Sequence, residues 1–284
     1  MSLQDTAFSQ KIEQLFNEQT KPLVMGILNS TPDSFFDGGN YLLEAEWLAH
    51  AKQMIAEGAD IIDIGAYSTR PGAATISETE EAERLIPVIR SVRKEFPELL
   101  ISADTFRATI AEKAIEAGAN IINDISGGTM DENMFDTVAK LQVPYVLMHI
   151  QGTPQTMQQN PTYENVTEEV FNYFTDKIRE LKKLGFEKII LDPGFGFGKT
   201  VEHNFQLMNV LEKFNSLNYP LLVGFSRKSM INKVLNTKPE NALNGTTILN
   251  TIAIQKGAKI LRVHDVKEAK EVVKMSEYLK KINH

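Results

Sequence analysis

Residues 23–29 read Leu23-Val24-Met25-Gly26-Ile27-Leu28-Asn29, and Ser30-Thr31-Pro32-Asp33 follows at once. A short, nearly unbroken apolar run of this kind suits a parallel strand covered on both faces by helices. The residues after it decide between two folds. An open doubly wound sheet carries a glycine-rich nucleotide loop behind its first strand, and here a Ser-Thr-Pro-Asp turn stands in that place. Further along the chain come seven more runs of the same character: DIIDIGA from Asp60, LLISAD from Leu99, NIINDIS from Asn120, YVLMHI from Tyr145, KIILDPG from Lys188, PLLVGFS from Pro220 and AKILRVH from Ala258. Each is followed by a turn signal.

The segments between these runs have helical spacing. EAEWLAHAKQMIAEG places Ala45, Leu48, Ala49 and Ile55 on or near one stripe, and ATIAEKAIEAG, NVTEEVFNYFTDKIRELKKLG and KEAKEVVKMSEYLKK read the same way. Several close on glycine (Gly58, Gly118, Gly185, Gly257), as a left-handed residue just past a helix end requires. Eight strands alternating with helices in 284 residues predict an α/β fold of one domain, a (β/α)8 TIM barrel over residues 22–284. Residues 1–21 are expected to form an N-terminal helical extension over the barrel bottom.

Composition narrows the function. Acidic residues outnumber basic ones, 37 to 30, for a net charge of −7, which argues against nonspecific nucleic-acid binding. There is no cysteine, so thiol nucleophiles, zinc–thiolate sites and disulfide scaffolds are excluded. The N-terminus, MSLQDTAFSQKIEQLF, is polar and lacks the apolar core of a secretory signal. No run of about 18 apolar residues offers a membrane span. A cytoplasmic protein without membrane partners is the expectation.

Barrel strands point alternate side chains inward. In the last strand Arg262 and His264 share one face and Leu261 and Val263 the other, so the charged pair is expected at the barrel mouth. There it needs an anion or a carboxylate; the simpler alternative is an ion pair with a neighbour such as Asp265. The same count puts Asp104, Asn123, Asp192 and Asn29 on inward faces near strand ends. One such residue is usually a turn or cap; five strands delivering polar groups to the end where this fold keeps its active sites suggest a site. Residues 30–39 and 67–73 are too elaborate for tight turns and read as loops that close over a substrate. The run Gly194-Phe195-Gly196-Phe197-Gly198-Lys199-Thr200 nearly matches a phosphate-binding loop, but Pro193 stands where the first glycine is required. No ATP site is expected there, and the glycines are read as letting backbone approach a flat ligand.

These stretches resemble the motifs of a known family. Met25-Gly26-Ile27-Leu28-Asn29-Ser30-Thr31-Pro32-Asp33-Ser34-Phe35 is similar to the first signature of the dihydropteroate synthases, and Ser68-Thr69-Arg70-Pro71-Gly72-Ala73 to the second. Asp192 to Lys199 looks like the pterin loop; Ser226-Arg227-Lys228-Ser229 and Arg262-Val263-His264-Asp265 look like the last two motifs. The resemblance runs in family order from about residue 22 to the C-terminus. It implies a transferase of folate biosynthesis that joins 6-hydroxymethyl-7,8-dihydropterin pyrophosphate to p-aminobenzoate through a pterin-methyl cation. Magnesium is the implied cofactor, sulfonamides the implied competitors and a homodimer the implied assembly.

Carried onto this chain, the resemblance assigns pterin binding to Asp104, Asn123, Met148, Asp192, Phe197, Gly224 and Lys228, although Met148 reads nearly as well as plain core. The pyrophosphate falls to Asn29, Arg70, Arg262 and His264, with Asn29 also the magnesium ligand. Asp33 would stabilise the cation, so that Asp33, Arg70, Lys228, Arg262 and His264 form the catalytic set. Thr69, Phe35, Pro71, Phe197 and Ser229 would make the p-aminobenzoate slot. One departure stands out. The family commonly reads Gly-Gly-Glu-Ser before the second signature, and here Gly65-Ala66-Tyr67-Ser68 puts Tyr67 in the acidic position. The closest rival is a methyltransferase that moves methyl from a folate to a corrinoid protein. It would share Asp104, Asn123 and Asp192 but has no need of a pyrophosphate site. A catalytically dead pterin- or protein-binding barrel is the other rival, and it would have shed the catalytic set.

Overall fold

The computed structural model describes residues 3–17, 20–29, 39–67 and 75–282. Among them, eight parallel strands close into a barrel in chain order: β1 Leu23–Asn29, β2 Ile61–Gly65, β3 Leu100–Asp104, β4 Ile121–Asp124, β5 Tyr145–Met148, β6 Ile189–Asp192, β7 Leu221–Val223 and β8 Ala258–Val263. Closure is made by β1 on β8, with Leu23 opposite Ile260 and Met25 opposite Arg262. Each strand lies within the apolar run that predicted it.

Around the barrel stand α2 Gly39–Glu57, α3 Glu78–Glu95, α4 Ala108–Glu116, α5 Met134–Leu141, α6 Val166–Lys183, α7 Val201–Asn209, α8 Ser229–Leu235, α9 Leu243–Gln255 and α10 Val266–Ile282. Their ends are chemically marked. Ser77 accepts from the Glu80 N–H to cap α3, and Asn165 accepts from the Thr167 and Glu168 N–H groups to cap α6. Both helices carry glutamates in the first turn and basic residues in the last, which suits the helix dipole. The four glycines expected past helix ends all have positive φ. In α2 the expected stripe is displaced. Ala45 and Ala49 are exposed, and the inward face is Ala51 and Met54 with Trp47 and Leu48 beside them. The small alanines matched the period but bury too little surface to set the rotation of the helix, which the larger Trp47 and Met54 decide.

The strands alternate as a barrel requires. Ile62, Ile64, Ile101, Ala103, Ile122, Leu147, Leu191, Leu261 and Val263 face the helices. Met25, Ile61, Leu100, Ile121, Val146, Ile190, Leu222 and Ile260 point inward and form one apolar layer. The helix α1 (Leu3–Phe16) packs against this layer. Leu15 is wholly buried in it, with Phe8, Ile12 and Phe16 around the rim. The end of the segment is tied down by Lys259, whose ammonium donates to the carbonyls of Asn17 (2.7 Å) and Thr20 (2.6 Å). Truncating Leu15 leaves a cavity in the layer that seals the barrel. Leu15→Ala is therefore expected to lower the unfolding free energy by about 2–5 kcal/mol in urea denaturation. A cost well under about 1 kcal/mol would mean that α1 merely rests on the surface.

Candidate active site

Two residues above the apolar layer, toward the carboxyl ends of the strands, the inward positions change character. Above Ile61, Leu100, Ile121, Ile190, Leu222 and Ile260 stand Asp63, Ser102, Asn123, Asp192, Gly224 and Arg262. Period two in the strands thus builds an apolar floor with a polar ring on it.

Arg262 is the centre of that ring. Its Nε donates to Asp63 Oδ2 at 2.7 Å and its Nη2 to Asp104 Oδ2 at 2.8 Å. Asn123 Nδ2 donates to the same Asp63 oxygen at 3.0 Å. Burial works against the charge of Arg262; Asp63, Asp104 and Asp192 together overcome it and raise its pKa. Burial also pushes the Asp104 carboxyl up to about 7, against the pull of Arg262 and with the help of Asp63. The partner of Arg262 is thus not Asp265. That carboxylate takes Arg227 instead, with its Oδ1 2.6 Å from Nη2 and its Oδ2 3.2 Å from Nε. The reason is direction: Asp265 lies past the end of β8, whereas Arg262 points into the barrel, where β2 and β3 supply acids.

Asp192 is buried and accepts the Gly194 N–H at 2.8 Å. Burial raises its pKa, and the nearby Lys228 opposes that rise. Lys228 is drawn down to about 8, chiefly by burial, with Arg262 adding to the effect and Asp192 resisting it. Its ammonium donates to the Phe195 carbonyl and lies 4.4 Å from the centre of the Phe197 ring. His264 sits at the mouth, held by Ser226: the hydroxyl accepts its backbone N–H at 3.1 Å and lies 2.9 Å from its Nδ1. Asn29 is exposed at the carboxyl end of β1, and Ser229 is exposed at the start of α8. Gly224 follows β7 directly and is buried; a Cβ there would stand 3.8 Å from the Arg262 side chain, in ordinary van der Waals contact.

Above one side of the ring is an apolar wall. Tyr67, Phe106, Ile125 and Met148 form a buried cluster, with Phe197 and Ile150 packed against it. Met148 is only 2% exposed, so its packing is that of core even as its inward position on β5 puts it beside Asp192. Tyr67 meets Phe106 edge-on at 5.1 Å, and its hydroxyl accepts from Gln155 at 2.9 Å. Asp33, Phe35, Thr69, Arg70 and Pro71 lie outside the described residues.

The glycine-rich loop packs closely on the loop after β5. A Cβ on Gly194 would stand 1.9 Å from the His149 carbonyl oxygen, and one on Gly198 2.4 Å from that of Gln151. Gly194 and Gly198 therefore admit backbone of the loop after β5, and a Cβ on Gly196 would stand 3.1 Å from the Lys228 side chain. Lys199 clips the two loops together from inside. Its ammonium donates to the carbonyls of Gly194 and Phe197, both at 3.0 Å, and lies 2.9 Å from His149 Nδ1. Burial draws Lys199 down to about 7, with Asp192 resisting; burial and then the Lys199 charge hold His149 well below its ordinary value.

Residues 25–264 match the family described as pterin binding enzymes. The chain is 46% identical to the dihydropteroate synthase of Escherichia coli K12 over 258 residues, 90% of this chain and 91% of that one. This chain belongs to the dihydropteroate synthase family. Solved structures agree. A Yersinia pestis dihydropteroate synthase in a sulfonamide drug complex superposes with a TM-score of 0.86 at 42% identity, covering 92% of this chain and 95% of the other. A Xanthomonas albilineans dihydropteroate synthase in complex with 7,8-dihydropteroate gives 0.83 at 35% identity, covering 93% and 95%.

For a dihydropteroate synthase, two of these residues were missed in the sequence. Asp63 was legible: it shares the inward face of β2 with Ile61 and Gly65, and a carboxylate amid isoleucines needs a partner. The position of Lys199 was not, because a near-miss phosphate loop gives no sign that its lysine turns inward. Lys199 also leaves a pH signature. Between about pH 7 and its ordinary 10.5 the unfolded chain holds this proton and the native chain does not. Stability from this group therefore rises with pH across that window. Lys199→Met is expected to flatten that rise in denaturation curves taken from pH 7 to 10; an unchanged slope would show that Lys199 is ordinary in the native state.

Proposed function

We propose that the polar ring and the mouth above it carry out the family's reaction through loss of pyrophosphate to a pterin-methyl cation. The reaction is the condensation of 6-hydroxymethyl-7,8-dihydropterin pyrophosphate with p-aminobenzoate. The C–O bond to pyrophosphate breaks with its electron pair leaving on oxygen; the aromatic amine then attacks the methylene carbon and loses a proton, giving 7,8-dihydropteroate. One observation above all supports the reading: Asp104, Asn123, Asp192 and Arg262 stand on inward positions at one end of the barrel, with Asp104 and Asn123 side by side in register and Arg262 bonded to Asp104.

The roles follow from chemistry. Asp192 is acceptor-only when ionised and matches the amino and ring N–H groups of a pterin edge, with Asn123 beside it. Asp104 meets other ring N–H groups. Lys228 donates to the ring carbonyl and a neighbouring nitrogen once it turns from the Phe195 carbonyl. Phe197 and Met148 pack the ring. Arg262 spends Nε and Nη2 on carboxylates and has no partner at Nη1 among the described residues, which leaves that nitrogen for a phosphate oxygen. His264, fixed by Ser226, and Asn29 flank it. Stabilising the departing pyrophosphate is the main catalytic contribution. The parts given to Asp33, Arg70, Thr69, Phe35 and Pro71 rest on the resemblance of the two loops, and Ser229 at the mouth takes the p-aminobenzoate carboxylate.

Magnesium belongs to the same proposal. Among the described residues no group of three acidic or histidine side chains is placed to hold a metal ion. A single exposed amide oxygen at Asn29 fits a hard ion that keeps several waters and takes its other ligands from phosphate. Bound there, the ion would neutralise charge on the leaving group.

Pyrophosphate release from the pterin substrate tests the reading. Release coupled to dihydropteroate formation and inhibited by a sulfonamide supports it. His264→Ala and Arg262→Ala should each cut kcat/KM by about 100-fold or more, as loss of a transition-state anion contact does. Unchanged turnover in both would overturn the pyrophosphate site, and pterin binding without release would favour the methyltransferase or a binder.

The proposal includes a twofold homodimer and a cytoplasmic setting. Among the described residues no helix is long and apolar enough to cross a membrane, and a chain without cysteine has no need of an oxidising compartment. Support for the dimer is an apolar face on α9 and α10: Leu243, Met275 and Leu279 line one groove, and Ile248, Tyr278 and Ile282 are exposed as well. Sedimentation should show a dimer that Met275→Asp with Leu279→Asp converts to a folded monomer. A wild-type monomer at all concentrations would refute it.

A further inference from the structure

Asp63 is hydrogen-bonded to two groups of the proposed site, Arg262 and Asn123. It is fully buried one layer above the apolar floor. Both of its hydrogen bonds converge on one atom, Oδ2, which accepts from Arg262 Nε at 2.7 Å and from Asn123 Nδ2 at 3.0 Å. Its other oxygen, and the hydroxyl of its register partner Ser102, have no hydrogen-bond partner among the described residues. A buried carboxylate with one idle oxygen is a poor stabilising device, because the desolvation of that oxygen is not recovered. Its use lies in what the other oxygen holds.

We propose that Asp63 is a positioning residue that sets two substrate-binding side chains at once. Through Nε it fixes the plane of the Arg262 guanidinium, with Asp104 as the second anchor, so that Nη1 faces the mouth. Through Nδ2 it fixes the amide of Asn123, whose carbonyl oxygen is thereby turned away from Asp63 and offered as an acceptor. Without the shared oxygen the amide is free to rotate by half a turn and present a donor instead. The guanidinium loses one of its two tethers. The inference rests on the proposed function, since the two side chains matter only if a pterin and its pyrophosphate bind there.

The test uses Asp63→Asn, Asn123→Ala and the double variant in the full chain, with calorimetry of a dihydropterin, steady-state kinetics and thermal unfolding. Asp63→Asn is expected to lower pterin affinity, and kcat/KM for the pterin pyrophosphate, by about 10- to 100-fold. KM for p-aminobenzoate should stay within about twofold. The double variant should lose less than the product of the two single losses, because Asn123 is one of the groups through which Asp63 acts. A merely structural Asp63 would lower the melting temperature and leave the constants of the folded enzyme alone, and that result overturns the proposal, as does a fully additive cycle. If Asp63→Asn does not fold, the side-chain N–H signals of wild-type Arg262 and Asn123 decide by nuclear magnetic resonance. Slow exchange with solvent supports the grip, and exchange at the rate of an exposed side chain overturns it. If wild type neither binds a pterin nor releases pyrophosphate, the functional reading fails instead, and these exchange rates still report on Asp63.

Discussion

A single guanidinium inside the barrel organises the rest. Removing the charge of Arg262 from water is costly, and only close carboxylates with good hydrogen-bond geometry offset that cost. Asp63 and Asp104 supply both from neighbouring strands, and Asp192 adds charge from across the ring. The requirement runs in both directions. Asp104, pushed up by burial and by the Asp63 charge, already reaches about 7 with Arg262 in place, and Arg262 is what pulls it down. The ring is therefore one electrostatic unit, and its side chains are held before any substrate arrives.

Such a unit needs rigid borders. Below, the apolar layer and Leu15 of α1 keep water from the barrel bottom. To the side, Lys199 clips the loop after β6 to the loop after β5, and the close approach at Gly194 leaves no room for another residue. The clip places Phe195 and Phe197 where Lys228 can rest between the carbonyl of one and the ring of the other. Tyr67 extends the same border, packed on Phe106 and tied to Gln155. An aromatic ring with a polar tip suits that half-apolar place. Position 67 thus belongs to the wall in this structure, not to the ring.

The barrel and most of the ring were legible in the sequence, because both follow from a period of two in buried strands. Asp104, Asn123, Asp192 and Arg262 are each two or four residues along from an inward isoleucine or leucine of the floor, and that spacing is countable in one dimension. Asp63 obeys the same count. The stripe of α2 was misplaced because periodicity alone does not weigh side-chain size, and the larger Trp47 and Met54 settled which way the helix turned.

What the sequence determined by itself was therefore the alternation: which faces of the strands are apolar, that eight of them follow one another, and that charged groups gather at one end. Pairing between distant positions was decided only by the closed barrel. That Arg262 meets Asp63 and Asp104, some 199 and 158 residues away, and not the adjacent Asp265, depends on the strands coming round to meet. That Lys199 turns inward to His149 depends on a loop contact no local pattern encodes. Local spacing sets the direction of a side chain along its own strand; the partner waiting there is chosen by tertiary closure, because the electrostatics that stabilise a buried charge act through space and not along the chain.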